Sequence, residues 1–252
     1  MMWLRRWGTP RGRPPVRAVP VSSARRGAGL RVARKEVGTD HPGGPPGWIA
    51  DPAPYALATV VVVTTVLLFH SAQGQTPGFL EFADELRSAG HTVHAPDLFD
   101  GETFGTVDEG VAHARQVGFG DIIRRGSQAA EELPPDIVYA GFSLGVMPAQ
   151  SLTQTRPGAR GAILFHGALP ASEFDGPWPD GVPLQIHMMD ADPWAEEDRP
   201  AAEALIEEIE GGELFIYPGS GHLFADPGSG DYDEQAAGLL KERTLAFLRS
   251  VE

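Results

Sequence analysis

Within this 252-residue sequence, the segment Asp136–Gly145, DIVYAGFSLG, has the residue types and spacing for covalent chemistry. A short apolar run leads into Gly141-Phe142-Ser143-Leu144-Gly145, and a helical stretch follows. Gly-x-Ser-x-Gly between a strand and a helix is the nucleophile-elbow pattern, which exposes the serine on a sharp turn at the carboxyl edge of a sheet. Side chains two residues before and two after the serine would collide in such a turn, hence Gly141 and Gly145. Ser143 is the candidate nucleophile, and the helix after it would point its N-terminus at a developing oxyanion.

A serine hydroxyl needs a base, and the base needs a group to orient it. Downstream, PLQIHM (183–188) empties into Met189-Asp190-Ala191-Asp192-Pro193-Trp194, and ELFIY (213–217) empties into Pro218-Gly219-Ser220-Gly221-His222. An acid and a histidine thus follow the serine in order, each in a loop after an apolar run. His222 is expected to take the proton from Ser143 and return it to the leaving group. Asp192 is expected to hold the other imidazole nitrogen, with Asp190 as its rival. The backbone N–H groups of Leu144 and of Ala72, in the loop His70-Ser71-Ala72-Gln73-Gly74, are the expected oxyanion donors. Phe142, Phe174, Trp178, Trp194 and Phe224 could line an apolar pocket, at least half of them being ordinary core. The chain has no cysteine, so thiolate nucleophiles, thiolate metal sites and disulfides are excluded. His70, His166 and His187 lie at strand ends, but no spacing forms a metal-ligand motif, and buried, hydrogen-bonded states are expected for them. No metal and no cofactor are expected.

Such residues need a scaffold of strand ends. From Thr59 onward the pattern alternates strand and helix. Ala56–Phe69 (ALATVVVVTTVLLF) reads as a buried parallel strand, being β-branched and too short to span a bilayer, with a signal anchor as the minor alternative. Helix is expected over 77–89, with Phe79, Phe82, Ala83 and Leu86 on one face, and also near 107–117 and 119–133. Further helix is expected from about 144, over 198–209 with Ala202, Leu205, Ile206 and Ile209 inward, and over 233–250. Strands are expected at 91–95, 136–140, 162–166, 183–188 and 213–217. This alternation implies a doubly wound, mostly parallel sheet with helices on both faces.

Charge divides the chain in two. Residues 1–50 hold ten basic and two acidic side chains, a balance of +8, with seven Pro and eight Gly. The remaining 202 residues hold ten basic and 32 acidic side chains, a balance of −22. Residues 1–55 are expected to be a disordered basic extension, because they cannot bury enough apolar area to fold alone. Residues 56–252 are expected to form one domain. A domain so acidic is a poor general binder of nucleic acid or anionic lipid, so neither nucleic acid nor membrane is expected as a partner.

Together, FHSAQG, GHTVHAPDLF (Gly90–Phe99), AGFSLG, HMMDADPW (His187–Trp194) and GHLFADPGSGDYDEQAAGLLKERTLAFL (Gly221–Leu248) resemble the dienelactone hydrolase family. The resemblance covers about residues 62–250 and implies the α/β-hydrolase fold. It puts Asp192, rather than Asp190, in the acid position, and Ala72 and Leu144 in the oxyanion positions. Better-known members use cysteine in Gly-x-Cys-x-Gly-Gly, where this chain has Ser143 and Val146. They carry a Glu where Ser71 stands and a carboxylate-binding arginine where Asp226 stands. The Asp226 charge is expected to disfavour a dienelactone carboxylate. The resemblance implies a cytoplasmic serine hydrolase of a small ester or lactone, acting through an acyl-enzyme. A thioesterase on the same fold, or a non-catalytic binding protein, are the alternatives.

Overall fold

A computed structural model of the chain describes residues 63–251. The expected 1–55 extension, and the first part of the expected 56–69 strand, lie outside the described residues. Six short strands form the sheet: β1 (Thr65–Phe69), β2 (Thr92–His94), β3 (Val138–Phe142), β4 (Gly161–Phe165), β5 (Leu184–Met189) and β6 (Glu213–Tyr217). Their order is β2-β1-β3-β4-β5-β6, with every neighbouring pair parallel. The chain steps outward from β1 to β2 and then returns to the other side of β1. This reversal between β1 and β3 is the topological switch point where open α/β sheets place their ligands.

Among the described residues, six α-helices cover the sheet: α1 (Pro77–Ser88), α2 (Val107–Val117), α3 (Phe119–Ala130), α4 (Val146–Thr155), α5 (Pro193–Glu208) and α6 (Glu234–Ser250). Strand residues alternate between two cores, as the period of two requires. Leu67, Phe69, Tyr139 and Leu164 pack with residues of α2 to α5, and Val66, Leu68, Val138 and Ile163 with α1 and α6. Both faces are therefore covered, which is why the strands read as continuous apolar runs. The expected inward face of α1 is buried (Phe79, Phe82, Ala83 and Leu86), and α6 buries Ala236, Leu240, Phe247 and Leu248; in α5, Ala202 and Leu205 are buried but Ile206 is only half-buried and Ile209 lies past the helix end.

Helix starts follow local capping chemistry. Thr76 accepts from the Phe79 N–H with Pro77 behind it, and Thr106 and Glu109 form a reciprocal capping box. The expectation for α5 needs correction: it starts at Pro193, not 198. Asp192-Pro193 is an N-cap followed by proline at the first helical position. Asp198 and Pro200 imitate that signal further along, but Pro200 sits inside the helix. α4 begins at Val146, because Ser143–Gly145 form a tighter 3₁₀ turn first. Among the described residues, no helix is long and apolar enough to cross a membrane.

Candidate active site

Ser143 follows β3 in the left-handed conformation, with φ of 49°. A non-glycine residue pays for that geometry in strain, and such strain concentrates at functional sites. A side chain at position 141 would run into the Gly145 backbone. At 145 it would come within 2.5 and 2.7 Å of the Phe69 and His70 carbonyl oxygens. Gly141 thus permits the turn itself, whereas Gly145 permits the turn to press against the end of β1. The expected collision between the two flanking residues is half of the reason, and the contact with β1 is the other half.

The three expected residues meet. Ser143 Oγ lies 2.8 Å from His222 Nε2, and His222 Nδ1 lies 2.7 Å from Asp192 Oδ2. All three are buried, Asp192 most deeply. Asp192 also accepts from the Trp194 N–H through Oδ1 at 2.9 Å, capping α5. One carboxylate oxygen therefore fixes the helix and the other faces the imidazole. The rival Asp190 accepts from the Gly219 N–H at 2.9 Å and holds the loop before His222 rather than its ring. Asp231, which the sequence reading missed, accepts from the His222 N–H at 3.1 Å and anchors that residue's backbone.

The loop after β1 is fixed from several sides. Leu98 N–H donates to His70 Nε2 at 2.9 Å, so the ring proton is on Nδ1, which donates to the Ser71 carbonyl at 2.7 Å. Burial pushes the His70 pKa down to about 4, which keeps this neutral tautomer. Gln73 exchanges backbone and side-chain hydrogen bonds with Phe104. Gly110 in α2 lies against Ala72, and a side chain there would collide with the Ala72 carbonyl. A glycine inside a helix was the sequence signal for this contact. Ala72 and Leu144 are both fully buried, on the two elements that Gly145 brings together.

Other expected site residues lie elsewhere. Phe142 and Phe224 are core, not open pocket wall: Phe142 packs on Phe79, Phe82 and Phe165, and Phe224 on Tyr217 and His166. Phe174 and Trp178 pack against the core on the α2–α5 side. Trp194 does reach the site, its ring centroid 5.6 Å from that of His222. Asp226 is buried and accepts from Thr76 Oγ1 at 2.7 Å and from the Gly228 N–H at 2.8 Å. It clasps the histidine loop to the start of α1. His187 bonds Tyr217 Oη and Gln185 Oε1, each at 2.8 Å, and burial takes its pKa down to about 3. His166 departs from the expected hydrogen-bonded state: neither ring nitrogen has a partner. Among the described residues, no group of His, Asp and Glu is placed to hold a metal ion.

The model of the dienelactone hydrolase family matches residues 53–252. The chain belongs to this family. Solved structures with the same fold include the dienelactone hydrolase-like promiscuous phosphotriesterase P91 from metagenomic libraries. It is 18% identical with a TM-score of 0.60, over 75% of this chain and 86% of that one. The dienelactone hydrolase from Anabaena variabilis is 20% identical with a TM-score of 0.54, over 76% and 88%. The propionate-bound esterase Est2 from Thermogutta terrifontis is 22% identical with a TM-score of 0.53, over 75% and 84%. No curated protein sequence matches the chain. Family membership supports an ester or lactone hydrolase on the α/β-hydrolase fold, the architecture built above.

Proposed function

We propose that the protein hydrolyses a small ester or lactone through a Ser143–His222–Asp192 triad and a Ser143 acyl-enzyme. The observation that carries this reading is the continuous Ser143–His222–Asp192 hydrogen-bond chain, with links of 2.8 and 2.7 Å. Ser143 Oγ attacks the carbonyl carbon while its proton passes to His222 Nε2. Asp192 accepts from Nδ1–H throughout and stabilises the imidazolium. The tetrahedral oxyanion is held by the backbone N–H groups of Ala72 and Leu144. Collapse breaks the ester C–O bond, and His222 returns the proton to the leaving oxygen. Water then repeats the sequence, with His222 taking its proton, and releases the acid and Ser143.

The test is a fluorophosphonate probe on wild type, Ser143→Ala and His222→Ala. Wild type should label at Ser143 and both variants should not, with Ser143→Ala losing at least ~10³-fold in ester turnover. A folded wild type that fails to label overturns the triad and favours a non-catalytic protein on this fold. On a panel of ester, lactone and thioester of matched acyl group, kcat/KM should favour the oxygen substrates. Preference for the thioester would make the enzyme a thioesterase.

A further inference from the structure

We propose that His166 is a positioning residue for His222: a buried imidazole, free of hydrogen bonds, that braces the base and answers the charge appearing there when Ser143 gives up its proton. The proposal rests on the triad reading above.

The last paired residues of β3 and β4 are Phe142 and Phe165, so Ser143 and His166 follow them side by side at the carboxyl edge. Both are left-handed, with φ of 49° and 66°. The His166 ring is 1% exposed. It stands edge-on to Phe224 at 4.6 Å, lies 5.3 Å from Phe142, and is 6.1 Å from His222, tilted by 59°.

Stability alone would not choose histidine here. A phenylalanine would fill this aromatic box without burying two unpaired nitrogens. A glycine or asparagine would relieve the backbone strain. What histidine adds is a dipole with an uncommitted lone pair. His70 and His187 each have both nitrogens engaged, which fixes their tautomers. No partner fixes the tautomer of His166. With its lone pair toward His222, the ring stabilises the imidazolium as a preorganised dipole in a water-excluded site, and no proton crosses the ring during turnover. Burial and the neighbouring His222 and His187 keep His166 itself neutral, so it does not compete for the proton. The other ionisable groups around this pair are Asp192 on His222 Nδ1, Asp231 on its backbone, Asp198 of α5 at the Ala168 N–H, and His187 with Tyr217.

Two measurements on the full chain test this. In His166→Phe, kcat should fall about tenfold with little change in KM. The acid limb of its kcat/KM profile should move to lower pH, because a group that stabilises the protonated base is lost. A purely structural role would leave the limb in place. In wild type, ¹⁵N-histidine NMR before and after a phosphonate adduct on Ser143 needs no variant to fold. The His166 nitrogen signals should shift when His222 is trapped as imidazolium, while those of His70 stay. An unmoved acid limb with unchanged kcat, or His166 signals indifferent to the adduct, overturns the proposal. Absence of adduct in folded wild type overturns the triad reading and this one with it. A normal adduct with an unmoved limb overturns this one alone.

Discussion

Asp192 carries two duties on one carboxylate, and substitutions can separate them. Oδ1 caps α5 through the Trp194 N–H, and Oδ2 receives the His222 Nδ1–H. Asparagine caps helices about as well as aspartate but cannot stabilise an imidazolium. Asp192→Asn should therefore cost on the order of 10³–10⁴-fold in kcat, with stability within about 1 kcal/mol of wild type. Asp192→Ala should lose the activity and also about 1 kcal/mol more stability, for the missing cap. Urea unfolding of the two variants beside wild type, with ester turnover, checks both halves. Equal stability losses in the two variants would mean that the cap contributes nothing. The same residue shows how legible the site was. The meeting of Ser143, Asp192 and His222 could be read because each follows an apolar run in a fixed order. That Asp192 also starts a helix is carried by Asp-Pro, although helix was expected only from 198.

At the scale of elements, glycines inside helices divide into two kinds. In α2, Gly110 is pressed against the Ala72 carbonyl, whereas Gly238 in α6 has open space around the position of a Cβ. Alanine is the better helix former by about 1 kcal/mol. Gly238→Ala should thus stabilise the fold by about 0.5–1 kcal/mol and leave turnover unchanged. Gly110→Ala should do the reverse: the added methyl must displace either α2 or the loop that carries Ala72, costing about 1–3 kcal/mol and lowering kcat more than it raises KM. Thermal unfolding and steady-state kinetics on the pair check this, and a stabilised, fully active Gly110→Ala would show that the loop is not held by α2. Helix faces were legible because one-sided burial imposes a period of 3.6, and strands because burial on both faces leaves short continuous apolar runs. Side-chain destinations were not. Phe142 and Phe224 flank the site residues in sequence yet point into the α1–α6 core, and Asp226 turns to Thr76. Those directions depend on which face of the sheet each loop crosses, and no local spacing encodes that.

Over the whole molecule, the interior holds several imidazoles that folding keeps neutral. The pKa of His70 is about 4 and that of His187 about 3, and His166 lies well below the ordinary value of 6.5, all through burial. In the unfolded chain each returns to about 6.5. A folded pKa below the unfolded one means that, between the two, the unfolded state binds the extra proton. Stability is then full above pH 6.5 and is lost as pH falls toward the folded values. Each of these histidines should contribute a slope of up to about 1.4 kcal/mol per pH unit in that window. The window from pH 6.5 to 5 lies between the unfolded and folded values of these rings and is where they are read. Urea unfolding at pH 7.5, 6.5, 5.5 and 5.0 should show free energy falling by about 1 kcal/mol over the first step and about three times as steeply after it. His187→Gln should flatten the slope by close to one proton, whatever it does to stability at neutral pH. A wild-type curve that stays level to pH 5 would mean that these rings meet water in the folded protein, and the tight packing at the carboxyl edge of the sheet would have to be abandoned.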